Sequence, residues 1–288
     1  MVSRRPQDLV FTLFGEYLAR LERPVWVGSL IALLRPFKVS EGAVRTVLSR
    51  MARKGWLVSR RSGRNSYYTL TARGRRIVER GEERIFHPPH VTDWKGRWFL
   101  VAYSIPEDVR HLRDRLRVRL AWLGFGSLGN GVWISPHDVH REVAEMADEM
   151  GLQGKLVCFG ADQVGAVDHE DLVERCWDLP HLAERYRTFL SRWRAEARQC
   201  ALDLKAGVLG EDKAFVLRFQ LIHEYRTFPL EDPFLPDVLL PRDWPGREAI
   251  TLFNDLHDLL VGPSDRYVAS VLSREPAYRK RVRTGSAT

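Results

Sequence analysis

The order of patterns within residues 6–70 constrains the fold most strongly, because three helical patterns are followed directly by a two-stranded pattern. Apolar side chains recur every three or four positions in the helical patterns, which is typical of amphipathic helices. Pro24 and Pro36 separate the three helices, and Ser40 is placed to cap the third. Beyond it, two β-prone runs enclose a Gly/Asn turn, which predicts a hairpin. This order is typical of a winged helix-turn-helix, which we assign to residues 1–86.

Basic charge is concentrated in the same part of the chain. Residues 1–90 contain 18 Lys and Arg against 7 Asp and Glu, whereas the whole chain of 288 residues has a net charge of +8. The chain beyond residue 90 therefore carries a net charge of −3. A generally arginine-rich composition would not produce this asymmetry. The asymmetry indicates a first domain that binds a polyanion.

The third helix and the hairpin supply the groups that DNA binding needs. Arginine forms paired hydrogen bonds with guanine edges, and Thr and Ser offer a hydroxyl or methyl group. Arginines at the tip of a hairpin suit the phosphate backbone, and a merely solvated basic helix face would not account for them. The predicted DNA-binding residues are Arg45, Thr46, Ser49, Arg50, Arg53, Arg60, Arg61, Arg64 and Asn65.

The remainder of the chain divides into three further parts. Residues 87–93 have the composition of a linker, and residues 94–167 show the order β-α-β-β-α-β of a ferredoxin-like fold. One such unit leaves its sheet exposed, so we expect it to dimerise. Residues 168–273 have helical periodicity interrupted by a Pro-rich stretch, and residues 274–288 form a basic tail that we expect to be disordered. The predicted fold class is multidomain α+β.

Several local patterns have a structural interpretation. His137 and His140 lie near each other, but the surrounding sequence is typical of a helix start with surface histidines. Cys158 lies in an apolar strand and is expected to be a core thiol. Residues 247–260 and 265–272 are predicted as two separate helices from their helical periodicity.

Several classes of protein are excluded by composition and motifs. No uncharged apolar run approaches the roughly 18 residues of a membrane span, and the first residues lack a secretory pattern, so we expect a cytoplasmic protein with no membrane partner. The three cysteines have no paired spacing, which excludes a disulfide scaffold and a Cys-x-x-Cys zinc site. Nucleophile-elbow, P-loop and zinc-protease motifs are missing from the sequence. We therefore predict no enzyme, cofactor or metal.

The sequence resembles the PaaX family of repressors, which control operons for phenylacetic acid degradation. The similarity covers nearly the whole chain and rests on motifs that are specific in combination. These motifs are Ser40–Met51, Lys54–Arg61, Gly63–Arg64, Tyr68–Thr71, Trp94–Trp98, Leu123–Gly126, Trp133–Pro136, His223–Arg226, Asp232–Pro236 and Leu240–Gly246. The resemblance implies a homodimeric repressor that is released from DNA by an aryl- or acyl-CoA thioester such as phenylacetyl-CoA. A dimer that carries two winged helices is expected to bind a palindromic operator.

The central unit is similar to the small ferredoxin-fold nucleases of CRISPR spacer integration. Those nucleases carry an aspartate after the first strand, where this chain has Ser104. A neutral hydroxyl is a poor ligand for a hard divalent cation, and Asp108 is not placed to replace the missing carboxylate. We therefore expect this domain to dimerise without catalysis.

The effector is expected to bind at the end of a helix near residue 226. Coenzyme A carries phosphates that arginine binds well, which makes His223, Tyr225, Arg226 and Arg218 the predicted effector-binding residues. In the alternative interpretation, Arg226 forms an ion pair with Asp232 and only stabilises a corner. Further candidates for the phosphates and for the acyl group are Arg185, Arg187, Arg192, Arg194, Trp177, Phe219, Phe228, Phe234 and Trp244.

An enzyme remains the alternative function. The central domain would be a metal-dependent nuclease, or the last domain would be an acyl-CoA hydrolase. The nuclease needs the carboxylate that Ser104 replaces, and the hydrolase needs an activated nucleophile that the sequence does not offer.

Overall fold

The structure, a computed structural model, describes residues 5–21, 23–88, 94–106, 109–165 and 167–278. It has an α+β fold with two small antiparallel sheets. The strands are β1 (Val25–Trp26), β2 (Leu57–Ser62), β3 (Asn65–Leu70), β4 (Arg97–Tyr103), β5 (Gly126–Gly129), β6 (Val132–Ser135) and β7 (Leu156–Asp162). The helices are α1 (Pro6–Leu13), α2 (Val27–Leu34), α3 (Glu41–Arg53), α4 (Ala72–Phe86), α5 (Arg110–Trp122), α6 (His140–Met150), α7 (His169–Cys176), α8 (Leu179–Lys205), α9 (Glu211–Tyr225) and α10 (Gly246–Leu272). Within these described ranges, no helix is both long and apolar enough to cross a membrane.

The chain folds into two compact units, each assembled from separate segments. The first unit comprises Met1–His87, Arg192–Arg226 and Ile250–Thr288. The second comprises Pro88–Ser191 and Thr227–Ala249. The domains predicted from the sequence are instead consecutive segments of the chain. Their assignment to separate functions stays a prediction. Most of the predicted linker lies outside the described residues, and so does most of the predicted basic tail.

The first unit contains a hydrophobic core that is built from both the N-terminal and the C-terminal part of the chain. Helices α1, α2 and α3 supply most of its aliphatic side chains, and a sheet with the strand order β1-β3-β2 lies against them. Phe215 and Phe219 of α9 and Val268 and Leu272 of α10 complete this core. The N-terminal helices and the last helices therefore form one packed body.

The second unit contains a four-stranded antiparallel sheet in the order β5-β6-β4-β7. Helices α5 and α6 pack with Val101 of β4, burying Leu116 and Met146. Trp98 and Ile134 belong to a separate core with α7 and the start of α8. Strand β7 lies at the edge of the sheet, next to β4.

Helix α10 differs from the prediction, because it runs unbroken through Pro263. The prediction of two separate helices is wrong. Proline inside a helix costs about 3 kcal/mol or more. Buried side chains on both sides of it, including Leu256 and Leu260 before it and Val268 after it, favour a continuous helix enough to offset that cost.

Two side chains lie in surroundings opposite to those expected. His137 was predicted at the surface, but it is buried and its Nε2 lies 3.1 Å from the carbonyl oxygen of Pro233. Cys158 was predicted in the core, but it is exposed, since β7 is an edge strand. Asp108 lies outside the described residues.

Candidate nucleic-acid and effector sites

Helix α3 separates an apolar face from a polar one. Ser40 caps its start by accepting a hydrogen bond from the Ala43 N–H at 3.2 Å. Val44, Val47, Leu48 and Met51 are buried. The five side chains predicted on its opposite face, Arg45, Thr46, Ser49, Arg50 and Arg53, are all exposed.

The hairpin of β2 and β3 presents its arginines to solvent. Gly63 occupies the turn with φ of +58°, in the left-handed region that glycine tolerates best. Arg60, Arg61 and Arg64 are exposed, and Asn65 is half-buried. Since both features belong to the first unit, the structure places the predicted DNA-binding residues on one body.

Arg45 already has an anionic partner within α3. Its Nε and Nη2 donate to Glu41 Oε1 at 2.9 and 2.7 Å. The pair is solvent-exposed and spaced i, i+4, so it contributes only about 0.3–0.5 kcal/mol. Such a weak pair allows Arg45 to exchange Glu41 for another acceptor.

Two of the predicted effector residues, His223 and Tyr225, are buried near the end of α9. His223 is buried, with Nδ1 2.8 Å from the Thr12 hydroxyl of α1. Tyr225 is also buried and stacks on Phe253 of α10 with ring centroids 3.9 Å apart. These two side chains therefore connect α9 to α1 and α10.

Arg226 lies directly after α9, and its guanidinium group uses only part of its hydrogen-bonding capacity. Its Nη2 lies 3.8 Å from Asp8 Oδ1, and its buried Nε has no hydrogen-bond partner within the described part of the chain. Burial lowers the pKa of Arg226, and the carboxylate of Asp8 opposes that effect. A half-buried guanidinium whose buried Nε has an unused donor is suited to receive an anionic acceptor.

Arg218, by contrast, is surrounded by carboxylates. It forms ion pairs with Glu16 and with Asp265, the latter at 2.6 Å, and its guanidinium carbon lies 4.9 Å from the centroid of the Tyr17 ring. Burial alone would lower the pKa of Arg218, but Glu16, Tyr17 and Asp265 together raise it. Glu16 also lies 3.0 Å from Nε2 of His257.

A cavity of about 470 Å³ opens beside this charged cluster. Glu16 and Tyr17 reach it from a π-helical turn, Phe14–Leu18, that continues α1. The apolar part of its wall includes Phe86, Val268 and Leu272. Arg218 is among the site residues predicted from the sequence, whereas Glu16, His257 and Asp265 are not. These three residues lie in distant segments of the chain and share no spacing pattern with Arg218.

Three of the four remaining predicted arginines form ion pairs away from Arg226. Arg187 pairs with Asp243 at 2.9 Å and Arg185 pairs with Glu231, both within the second unit. Arg192 pairs with Glu224 at 2.6 Å in the first unit. Asp232, the alternative partner proposed for Arg226, accepts a hydrogen bond from the Tyr186 hydroxyl at 2.7 Å.

Three family models match successive parts of the chain. Residues 5–74 match the PaaX-like protein model, and residues 91–173 match the central Cas2-like domain of PaaX proteins. Residues 177–270 match the PaaX-like C-terminal domain. Together these matches include α3, the hairpin and α9.

Known proteins resemble the chain over almost its full length. It is 35% identical over 265 residues to the transcriptional repressor PaaX of Escherichia coli (strain K12), covering 91% of this chain and 82% of that protein. The solved structure of the uncharacterized protein Rv0674 from Mycobacterium tuberculosis is 25% identical, with a TM-score of 0.59 over 93% of this chain and 100% of that one. The family models and the E. coli relative agree on one assignment: this chain belongs to the PaaX family.

Proposed function

We propose that this protein is a ligand-responsive transcriptional repressor, which binds a palindromic operator as a homodimer and is released by an acyl-CoA thioester such as phenylacetyl-CoA. The observation that carries the proposal is the exposed polar face of α3 beside an arginine-tipped hairpin on the same unit. The E. coli relative, a transcriptional repressor, supports it.

DNA binding follows from a winged helix-turn-helix. Helices α2 and α3 form the helix-turn-helix, and β2 with β3 forms the wing, whose strands pair from Leu57 with Leu70 to Ser62 with Asn65. Helix α3 enters the major groove, where Arg45 exchanges Glu41 for a base edge. Arg64 at the wing contacts phosphate.

Dimerisation follows from the sheet of the second unit. The order β4-α5-β5-β6-α6-β7, with β4 in the interior of the sheet, supports a ferredoxin-like fold. Edge strand β7 leaves Val157 and Phe159 51% and 52% exposed. An apolar edge of this kind favours pairing, and a second copy is the occupant that a palindromic operator requires.

Release follows from the position of Arg226 between α9 and α1. The thioester places a phosphate on the Arg226 guanidinium, and its acyl group enters the cavity beside Arg218. The anion competes with Asp8 of α1, whose helix packs against α3 in the same core. A hundredfold loss of operator affinity requires the effector to favour the released state by about 2.7 kcal/mol.

The proposal assigns no reaction to the central domain. Ser104 lines a recess that also contains Arg113 and Arg117. Guanidinium groups repel a divalent cation and a hydroxyl binds it poorly, so the recess is unsuited to metal-dependent nuclease chemistry.

A gel shift tests the proposal directly. The full chain is mixed with DNA from upstream of its own coding region, alone and with a panel of acyl-CoA thioesters. We expect a specific complex that one thioester dissociates and free coenzyme A does not. Failure to bind this DNA, or turnover of nucleic acid with Mg²⁺ or of a thioester by the purified protein, would overturn the proposal.

A further inference from the structure

The end of helix α10 forms one wall of the cavity of about 470 Å³ in the first unit, where Val268, Ala269 and Leu272 line it. The backbone continues past the helix in hydrogen-bonded turns. The Ser273 N–H donates to the carbonyl oxygen of Ala269 at 2.9 Å, and the Glu275 N–H donates to that of Leu272 at 3.2 Å. Because these bonds hold the turns, a displacement of the cavity wall also displaces Glu275.

The segment after α10 is fastened to the first strand of the hairpin sheet. We call residues 273–278 the strap. Within it, Glu275 Oε1 accepts a hydrogen bond from the Trp26 N–H of β1 at 3.1 Å, and its other oxygen pairs with Arg23. The Glu275 carboxylate is only 6% exposed. A buried carboxylate with two such partners fixes the path of the strap.

A second attachment joins the strap to β3. The Tyr67 hydroxyl donates to the carbonyl oxygen of Pro276 at 2.8 Å. The Tyr67 ring also packs edge-on against Tyr278, with centroids 5.0 Å apart. Tyr67 is buried, although it lies only two residues from Asn65 at the hairpin turn. The strap therefore reaches the hairpin close to its turn.

Both attachments lie on one row of the hairpin sheet. Trp26 of β1 and Arg60 of β2 are the register partners of Tyr67 on its two sides. Directly opposed residues of antiparallel strands place their side chains on the same face of the sheet, where neighbours contact each other. Arg60 is exposed and is one of the predicted DNA-binding residues. Trp26 directly precedes α2, the first helix of the proposed helix-turn-helix. A displacement of the strap therefore reaches both DNA-binding elements.

We propose that the strap transmits occupancy of the cavity to the hairpin. An acyl group against Leu272 displaces the end of α10, and the attachments of Glu275 and Tyr67 move the row that contains Arg60. The attached position fits the DNA-bound state, and the effector favours a state with the end of α10 displaced. The inference rests on the proposed function, because it names the route by which the effector releases DNA.

Helix α4 offers a competing route between the cavity and the hairpin. Phe86 at its end lines the same cavity, and Gly74 near its start packs against Trp56, the residue before β2. That contact lies at the open end of the hairpin, whereas the strap attaches to Tyr67 near the turn. The strap is therefore better placed to move the arginines at the hairpin tip.

The test separates effector binding from DNA release. A strap variant of the full chain changes Glu275 and Tyr278 to Ala and Tyr67 to Phe, which removes the attachments and leaves the lining of the cavity unchanged. Kd for the upstream DNA is measured with and without saturating thioester, with phenylacetyl-CoA tested first in the panel. We expect the thioester to weaken DNA binding by about a hundredfold in the wild type and by less than about tenfold in the strap variant.

The reciprocal measurement checks this result. Calorimetry gives Kd for the thioester with and without DNA, and linkage requires the same factor in both directions. Without DNA, we expect the strap variant to bind the thioester within about threefold of the wild type, because its cavity is intact. The single change Glu275→Ala should leave a coupling between those of the strap variant and the wild type. The coupling is a ratio of affinities, so it can be measured even where a variant binds DNA more weakly.

The matched control breaks another ion pair of α10. Glu211→Ala removes the partner of Arg266, 2.6 Å away, which joins α10 to α9 and not to the hairpin. We expect this control to keep the wild-type coupling.

Three outcomes would overturn the inference. Wild-type coupling in the strap variant would assign the transmission to another route such as α4. An equal loss of coupling in Glu211→Ala would show a general effect of loosening α10. Loss of thioester binding by the strap variant would place the strap in the effector site itself. The proposed function fails separately, if the wild-type chain does not bind the upstream DNA or no thioester of the panel releases it.

Discussion

Arg218 within α9 and Arg226 directly after it differ in what they can bind because their neighbours differ. Arg218 and Arg226 are eight residues apart, and their spacing predicts nearby positions on α9. The structure gives Arg218 two carboxylate partners and leaves Arg226 with a distant one. The sequence could indicate both side chains, but not this difference, because Asp8, Glu16 and Asp265 come from α1, its π-helical turn and α10.

Replacing Arg226 by Lys tests its role toward the effector. Lysine keeps the charge but cannot form paired hydrogen bonds to a phosphate, so we expect near-normal operator affinity and about a tenfold higher thioester concentration for release. Release is followed by gel shift, and the melting temperature is recorded beside it.

The matched control is Arg218→Lys on the same helix. It disturbs a buried ion pair with Glu16 and should lower the melting temperature more than Arg226→Lys does. Normal induction by Arg226→Lys, together with a lowered melting temperature, would assign Arg226 a structural role only.

At the scale of elements, regular patterns predicted most of the structure. Helix α3 and the hairpin lie where apolar periodicity and the Gly63 turn place them. Helix α10 could not be predicted as one piece, because the signal against it, Pro263, is local and the packing that overrides it is not. The two-residue strand β1 was missed because so short a run has no detectable alternation.

Substitutions in α3 and the hairpin separate base reading from phosphate binding. Arg45→Ala should cost about 1–3 kcal/mol of operator binding and relax sequence preference. Arg64→Ala should weaken binding to all sequences alike and lower the salt slope by about one. Affinities for operator and scrambled duplexes over a salt series provide the measurement. Normal operator binding by both folded variants would contradict the winged-helix assignment.

Helix α4 packs closely against Trp56, the residue before β2, because position 74 is a glycine and has no side chain. A Cβ added at Gly74 would lie 2.1 Å from the Trp56 carbonyl oxygen, which accepts from the Thr71 N–H. We expect Gly74→Ala to lower the free energy of unfolding by about 1–3 kcal/mol or more, measured by urea titration. Gly81→Ala in the same helix meets nothing within 4 Å and should stabilise by about 0.5–1 kcal/mol. Equal effects at both positions would contradict the described packing.

At the scale of the whole molecule, the first compact unit is assembled from segments that lie far apart in the sequence. The first unit takes in α9 and most of α10, which follow all four strands of the second unit's sheet in the sequence. Sequence patterns report local periodicity and turn chemistry, and they cannot show that Phe215 and Val268 fill a core begun by α1. The α+β class could be predicted, because it depends only on which elements exist.

Assembly is tested on the intact chain. Without DNA or effector, we expect a dimer by sedimentation at micromolar concentration. Changing Val157 and Phe159 to Lys should shift it toward monomer, since charges on an edge strand oppose pairing. Ser104→Ala, in the same domain, should leave the dimer intact. A monomeric wild-type chain would contradict the proposal.

The completion of the first core by α10 has a consequence for the order of synthesis. A ribosome releases α1, α2, α3 and the hairpin long before Phe215, Phe219, Val268 and Leu272, so the part of the core that these four side chains cover stays open until almost the entire chain is made. Chains interrupted earlier lack these four side chains, so we expect proteases to cleave them faster than the complete chain. If the proposed DNA binding holds, unfinished copies that are degraded in this way would not compete with complete chains for DNA.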